Sequence, residues 1–600
     1  MSLNSCTSKY GGNLMDFNRI CGITFSSHQL EESTEYSIGM IHCFPINRWR
    51  QELLSGRCFV TFLFVNNPLQ RATVPDKLHA QGGLTKGASA FVSKESGTPE
   101  ADVYGVGSFF HLLAEPDIKV RVCQGLACKM AGADDVLAEA EKAGFPVKAC
   151  SCLAACDQAP AVLKDRRVLY KLGTEDIKRC EGEWSSLSDS LGSAHGIIQG
   201  CVGPDGSYPD QRCIDLHGSV DLSGRAFKKA QELGAEEVIS AIDASGLQGR
   251  GGAGFPAAFK WKSVRNQSDS KRYVVLNADE GEPGTFKDRE ILLRRPDKVL
   301  EGLAIAARAI AATEVFCYLR GEFEAPWQVL QKAIDEVEAN GTFEGIRFHM
   351  HAGQGAYICG EETALLEALE GKRGLPRLKP PFPTEKGLWG KPTLIHNVET
   401  IACVPSIIER GGAWFKKLGR TGAGTKLYCV SGHVQNPGTY ELPLGVTLDE
   451  LVEEAGGYLG TLKSFSPGGA SAGFLPAEER TRPLDFKSLS EAGSMLGSAG
   501  VTVLNDTVNM AWAAQAQLVF YESESCGQCA PCRIGTRFLR ESLGNHLSQS
   551  ENQKTTTINH LNHIADAAWE MNEGSICGLG QIAALPLTSA LKYFPEDFKH

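Results

Sequence analysis

The stretch LQGRGGAGFPAAFKWKSVRNQSDSKRYVVLNADEGE, residues 247–282, decides how the chain is read. It opens on a run of glycines and closes on a cluster of acids, joined by Lys260 and a short apolar strand at 273–276. Gly249, Gly251, Gly252 and Gly254 leave the backbone bare, so its N–H groups can approach a phosphate closely. Arg250 and Lys260 add positive charge. Asn277, Asp279, Glu280 and Glu282 follow at the carboxyl end of the strand, where open α/β sheets place their ligands. Gly249, Gly251 and Gly254 satisfy G-x-G-x-x-G, but that fingerprint should follow a strand. Here it follows a helix-like run, EEVISAIDA at 236–244. Phosphate binding is therefore expected without an ordinary Rossmann turn, and a plain flexible glycine turn is the alternative.

The chain has 600 residues, enough for several domains, with 42% apolar and 22% charged residues. A net charge of −11 argues against nucleic acid as a partner. The longest suspicious apolar run, CFVTFLFV at 58–65, is far shorter than a membrane span, so no direct membrane insertion is expected. The amino terminus lacks a basic-then-apolar signal pattern. Twenty cysteines in such a chain point to a reducing compartment, the cytoplasm, with thiols serving as metal ligands or core residues.

Residues 1–98 carry Cys6, Cys21, Cys43 and Cys58 without metal-like spacing and show no sustained helical period; they read as a poorly ordered leader. From residue 99 the texture changes. A strand at 120–123 leads into CQGLAC, a helix at 131–143 and then CSCLAACDQAP. Cys123 and Cys128 are spaced C-x4-C; Cys152 and Cys156 are spaced C-x3-C, with Cys150 as an extra thiol nearby. Two thiolate pairs in Gly/Ala-rich loops suit a [2Fe-2S] cluster; zinc is the alternative, although zinc pairs favour C-x2-C. Residues 181–217 are Ser/Gly-rich and read as a linker holding Cys201 and Cys213.

Beyond the glycine stretch, helices and strands alternate: helix 297–311, strand 315–319, helix 325–337, strand 346–353. That pattern favours an α/β layered domain over 218–412. In GAYICGEETALLEALEG, Tyr357 and Gly360 stand at a turn into a helix whose first turn holds Glu361 and Glu362; taken alone, those acids read as caps. A small domain of strands, turn and short helix occupies 424–500. The last region, 501–600, begins with a strand at 501–505 and is otherwise helical. It carries Cys526, Cys529 and Cys532 as C-x2-C-x2-C, with Cys577 following in SICGLG. Three ligands on one tight loop plus a distant fourth is a [4Fe-4S] signature, and the crowded corner disfavours zinc. Cys359 reads as a packed thiol.

GRGGAGFP at 249–256, N-x-DEGEPGTFKDR at 277–289, AYICGEETAL at 356–365, EGKRGLPRLKPPFP at 370–383 and ESCGQCAPCRIGT at 524–536 together resemble the NADH-binding flavoprotein subunit of respiratory complex I and its relatives in NAD-linked hydrogenases and formate dehydrogenases. The likeness covers residues 236–600. EADVYGVGSFF with both cysteine pairs is similar to the thioredoxin-like ferredoxin domain that partners that subunit. The resemblance implies a multidomain α/β and α+β chain: thioredoxin-like [2Fe-2S] domain at 99–180, FMN- and NAD-binding α/β domain at 218–412, small β-grasp insert, and helical bundle with a [4Fe-4S] cluster. Carried over by position, FMN contacts fall to Gly249, Arg250, Gly251, Lys260, Asn277, Asp279, Tyr357, Gly360, Glu361, Asn397 and Thr400. NAD contacts fall to Phe255, Glu280, Glu282, Glu362 and Phe382, with Glu280 and Glu282 orienting hydride transfer and no covalent catalyst. His396 and Ser263 depart from the family pattern, which usually has Asn at the first position and often a stacking Phe at the second. FSPGGASAGFLP, PLDF and SICGLGQ-x6-TSALKYFPEDF most resemble the beta subunit of molybdenum or tungsten NAD-dependent formate dehydrogenase, implying a molybdopterin-bearing large subunit as partner. The diaphorase subunit of an NAD-reducing hydrogenase and the complex I subunit itself are the alternatives, and a zinc-bearing scaffold is a further reading.

Overall fold

A computed structural model describes residues 71–188, 198–200, 212–548, 561 and 563–599. At its centre lies a four-stranded, all-parallel sheet ordered Arg347–Ala352, Glu314–Leu319, Tyr273–Ala278, Thr393–Asn397. Tyr273–Ala278 is first in the chain yet lies inside the sheet. The chain builds outward from it on one side and then returns to its other edge. The break in order therefore falls between Tyr273–Ala278 and Thr393–Asn397, and the crevice at their carboxyl ends is where such sheets bind ligands. Apolar runs explain the burial: Val274, Val275 and Leu276 are fully enclosed. The helix Pro296–Ile310 is covered almost all round, and its proline sits at the first turn, where a missing N–H costs nothing.

The sequence-derived elements reappear with shifted ends, for example Ala235–Ser245 for 236–244 and Glu324–Ala339 for 325–337. The expectation of a structureless leader fails for residues 71–98. Val74–Ala80 and Ala88–Ser96 are helices packed with Glu100–Phe109, burying Val74, Leu78 and Val92. Two short helices separated by a turn with Gly82, Gly83 and Gly87 at positive φ leave no sustained period to read. Cys6, Cys21, Cys43, Cys58 and Cys201 lie outside the described residues.

The thioredoxin-like domain is a mixed sheet in which Val120–Cys123 pairs parallel with Val147–Cys150 and antiparallel with Val162–Lys164. The β-grasp-like part forms a six-stranded sheet, and two of its strands come from outside 424–500. Gly500–Asn505 lies at its interior, and Ile198–Gly200, from the expected linker, pairs with Gly438–Pro443 at its edge. The end of that linker is also anchored: the backbone N–H groups of Cys213, Ile214 and Asp215 all donate to the Glu441 carboxylate, at 2.7–2.9 Å. The carboxyl-terminal bundle is built on Met510–Glu524, Ala530–Leu547, Ile564–Gly574 and Leu585–Tyr593. Among the described residues, no helix is long and apolar enough to cross a membrane.

Candidate functional site: a flavin and dinucleotide crevice between two thiol clusters

The glycine loop is a short excursion closed at its neck. Gln248 and Pro256 form an antiparallel bridge, and the Gly249 N–H donates to the Phe255 carbonyl at 2.8 Å. Between them the loop rests on the switch point of the sheet. A Cβ on Gly251 would lie 3.0 Å from Asn397 Cβ, so only glycine allows this approach. The Arg250 N–H donates to Thr400 Oγ1 at 2.8 Å. The Arg250 side chain, in contrast, turns inward and is fully buried. It donates to the carbonyls of Ala423 and Thr425 at 2.8 and 3.1 Å, while its Nε and Nη1 have no protein partner. The loop thus offers backbone donors to a ligand, and the charge of Arg250 acts from below.

Asn277 and the acids leave the end of Tyr273–Ala278 together. Asn277 Nδ2 donates to the Gly360 carbonyl at 2.8 Å, and Gly360 packs so tightly on the Asp279 backbone that a Cβ would meet its carbonyl at 3.2 Å. Asp279 is buried, its Oδ2 has no protein partner, and burial pushes its carboxyl well above the usual range. Glu280 and Glu282, expected to face a nucleotide, are instead held by protein donors. Glu280 accepts from the N–H groups of Asp288 and Arg289 at 2.8 and 3.1 Å, at the start of the helix Lys287–Arg294. Burial and the neighbouring Asp288 raise it to about 7. Glu282 accepts from Tyr357 Oη at 2.6 Å and from the Ser471 N–H at 2.8 Å, which ties the crevice to the β-grasp part. The Tyr357 ring lies over Gly281, where a Cβ would come within 2.7 Å of it.

The paired glutamates separate in role. Glu361 caps the helix Glu362–Leu369, accepting from the N–H groups of Thr363 and Ala364 at 2.8 and 2.9 Å. Glu362 lies between Lys260 Nζ at 2.7 Å and Lys379 Nζ at 2.9 Å. Burial opposes its ionisation, yet the two ammoniums hold it down at about 2. Lys379, which also reaches Glu361 at 2.9 Å, was not singled out from sequence, since a lysine in a proline run carries no signal of its own. Phe255 and Phe382, the expected base platforms, are both about half exposed at this rim. On the other flank, Asn397 donates to Asp288 Oδ2 at 2.6 Å and caps Val398–Ala402. A fully buried array of Lys287, Asp288, Glu399 and Lys426 lies behind it. His396 is buried too. Its Nε2 accepts from Trp261 Nε1 at 2.7 Å, and burial, then Lys260, lower its pKa to about 3, so the ring is neutral.

Cys123, Cys128, Cys152 and Cys156 converge and are all buried. Cys152 Sγ and Cys156 Sγ lie 3.5 Å apart, and the N–H of Gly125 points at Cys123 Sγ at 3.5 Å. Cys150 ends its strand opposite Cys123 and is half-buried. The N–H of Gly284, from the acid loop of the crevice, donates to the Cys156 thiol. Two buried arginines of the flavin domain hold the loop carrying Cys152 and Cys156. Arg320 donates to the carbonyls of Cys152, at 2.8 Å, and of Glu280. Arg289 donates to the Ala154 carbonyl at 2.6 Å and to both Asp157 oxygens at 3.0 and 2.8 Å.

Cys526, Cys529, Cys532 and Cys577 form the second group, around the start of Ala530–Leu547 and the Cys577 loop. Gly580 passes so close that a Cβ would lie 2.8 Å from Cys532 Cβ, and the N–H groups of Leu579 and Gly580 point at Cys577. Burial raises Cys577 to about 11, with Cys526 and the Glu361 carboxylate adding to the rise. Cys359 is a packed thiol, 1% exposed. Among the described residues no three histidine, cysteine or acid side chains close on one point as a single metal ion needs. Cluster thiolates bind separate irons instead. Glu524 joins all three places: it accepts from Ser151 Oγ and, at 3.0 Å, from the Tyr357 N–H, two residues before Cys526. Ser151, Cys152, Asp279, Arg320, Tyr357 and Glu524 line a cavity of about 30 Å³ there, room for one water.

These donor sets fit the groups the sequence implies. A crevice of bare backbone N–H groups with an unpartnered buried carboxyl suits a flavin phosphate and ring edge, and each set of four thiols has N–H groups aimed at sulfur.

Comparison with known proteins agrees. Residues 75–181 match the family described as thioredoxin-like [2Fe-2S] ferredoxin, and 242–406 the Nuo51 FMN-binding domain. Residues 427–475 match the SLBB domain, and 512–600 the NADH-ubiquinone oxidoreductase-F iron-sulfur binding region. The chain is 46% identical over 387 residues to the second F subunit of the NADH-quinone oxidoreductase of Rhizobium meliloti, covering 62% of this chain and 91% of that protein. It is 42% identical over 413 residues to the F subunit of the NADH-quinone oxidoreductase of Rickettsia bellii, covering 65% of this chain and 98% of that protein. Among solved structures, an NAD+-reducing [NiFe]-hydrogenase in the H2-reduced state superposes with a TM-score of 0.80 at 31% identity. That match covers 88% of this chain and 92% of the hydrogenase chain. The chain is thus an iron–sulfur flavoprotein with FMN, [2Fe-2S] and [4Fe-4S] domains, an oxidoreductase subunit of the NADH dehydrogenase type. It belongs to the family of the complex I NADH-binding flavoprotein subunit, with a thioredoxin-like [2Fe-2S] domain fused ahead of it.

Proposed function

We propose that the chain is the NAD-linked beta subunit of a molybdenum or tungsten formate dehydrogenase in the cytoplasm, working with a molybdopterin-bearing large subunit. FMN, when bound, supplies the exchange between two-electron hydride chemistry and one-electron transfer. The protein's part is binding, orientation and exclusion of water. Backbone donors of Gly249, Arg250 and Gly251 hold the flavin phosphate, and Lys260 faces it across Glu362. Asn277, Asp279, Tyr357, Gly360, Asn397 and Thr400 border the ring. Phe255 and Phe382 flank the adenine, and Glu362 accepts from ribose hydroxyls, disfavouring a 2′-phosphate. Glu280 and Glu282 act indirectly: each fixes one side of the acid loop, and that loop sets the distance between nicotinamide and flavin. Cys526, Cys529, Cys532 and Cys577 hold the [4Fe-4S] cluster, and Cys123, Cys128, Cys152 and Cys156 the [2Fe-2S] cluster.

The observation that carries this reading is the meeting of the three sites in one chain. Glu361 borders the crevice and acts on Cys577, while the acid loop donates from Gly284 to Cys156. The formate assignment is supported by the FSPGGASAGFLP and SICGLGQ-x6-TSALKYFPEDF segments. The likeness of the whole chain to the NAD+-reducing hydrogenase chain supports a second reading, a hydrogenase diaphorase. Isolating the native complex separates them. Co-purification of a molybdopterin subunit, with NAD reduction by formate, is expected. Reduction by hydrogen alone, with a nickel-bearing partner, would sink the formate reading. A colourless, zinc-containing chain without FMN would sink the flavoprotein reading altogether.

A further inference from the structure

The rim of the crevice exposes more aromatic surface than the expected contacts account for. Phe259 is 61% exposed, more than Phe255 at 45% or Phe382 at 50%. It lies in the first turn of Ala257–Arg265, four residues after Phe255, and the two rings meet edge to face with centroids 5.4 Å apart. Residues four apart share a helix face, so Phe255, Phe259 and Ser263 form one stripe: two rings followed by a hydroxyl. Lys260 follows Phe259 directly and leads to the Lys260–Glu362–Lys379 array. The turn Pro383–Lys386, which starts just after Phe382, packs on the same helix.

Exposed rings of this size are costly in water unless something covers them. A flat base tethered to phosphates would use both features of this rim, stacking on the rings while its charged part lies along the two ammoniums. We propose that Phe259 is a nucleotide-recognition residue: its ring, edge-on to Phe255, forms a second aromatic wall for the adenine of the dinucleotide. The inference rests on the dinucleotide reading above and adds to it a contact at a position the family resemblance does not assign. With only a small hydroxyl at 263, the aromatic surface of this helix face ends at Phe259. Loss of that ring is therefore felt by the adenine end of the ligand and not by the flavin.

The test uses the full flavin- and cluster-loaded chain. ADP-ribose, which has the adenine, the diphosphate and both riboses but no nicotinamide, is titrated calorimetrically into the parent and the variants F259A, F259L, F259W and F255A. Base-on-ring stacking predicts that F259A weakens ADP-ribose by about tenfold, with F259L intermediate and F259W close to the parent. FMN content and both cluster spectra stay at parental values. In NADH oxidation with ferricyanide as acceptor, KM rises by a similar factor while kcat holds. F259A binding as tightly as the parent, while F255A is weakened, overturns the role of Phe259 and leaves the dinucleotide reading intact. A parent that does not bind ADP-ribose overturns both.

Discussion

Glu361 and Glu362 are neighbours in the chain, yet their surroundings give them different tasks, and the same contrast recurs across the site. Glu361 is a helix cap whose second oxygen takes Lys379; Glu362 is an ionised acid between two lysines. His396 is the opposite case, a base kept neutral. Its folded pKa of about 3 lies below the ordinary value of 6.5. Its contribution is therefore fully present above about pH 6.5 and is lost as pH falls toward 3, at up to about 1.4 kcal/mol per pH unit. Glu362 loses stability in the same sense, but only below about pH 4.5. We expect H396N, whose amide oxygen can still accept from Trp261, to flatten the pH dependence of urea unfolding between pH 6 and 4.5. An unchanged slope would mean that the ring is already protonated in the fold. Gly251→Ala tests close approach: a Cβ 3.0 Å from Asn397 moves the loop off the switch point. FMN affinity should fall by at least about tenfold in a fluorescence titration, from the loss of about 1.4 kcal/mol or more.

At the level of elements, the crevice is built from helix starts and strand ends. Lys287–Arg294, Glu362–Leu369 and Val398–Ala402 all begin at it, and each receives a side-chain acceptor, from Glu280, Glu361 and Asn397 respectively. Removing the acceptor of one start leaves two N–H groups without a partner and costs about 1 kcal/mol. Glu361→Ala should therefore lower the denaturant midpoint without changing the slope of unfolding, while Glu361→Gln, which keeps an acceptor, recovers most of the loss. Equal losses in both would show that the charge facing Lys379, and not the cap, carries the effect.

Across the molecule, Arg289 and Arg320 fasten the second cysteine loop to the flavin domain. Arg289 is fully buried among Asp157, Glu290 and the Tyr170 and Phe286 rings. Breaking a buried ion pair from one side costs roughly 3–5 kcal/mol because the other charge remains behind. In R289M we expect faster hydrogen exchange over 150–158 and a fall from about six irons per chain toward about four, with the [4Fe-4S] signal retained. Full iron content with unchanged exchange would show that the thioredoxin-like domain is secured elsewhere.

Much of this was readable from residue order, because the chemistry there is local. Thiols at C-x2-C-x2-C, glycines in series and an acid run after an apolar strand constrain neighbours in the chain. The expected strands and helices over 218–412 appear with ends shifted by a few residues. What the order of residues hid is long-range. Residues 71–98 are helical because they bury Val74, Leu78 and Val92 in a shared core, not because of a clear period. Arg250 looked like an anion ligand but turns inward to carbonyls more than 170 residues away. Glu280 and Glu282 looked free but satisfy donors on a helix start and on a β-grasp loop. The sequence by itself determined which groups the chain can carry, since ligand type and spacing are set along the backbone. Only the tertiary structure decided which acids remain open to a ligand, because a buried carboxylate binds whichever donors packing brings to it.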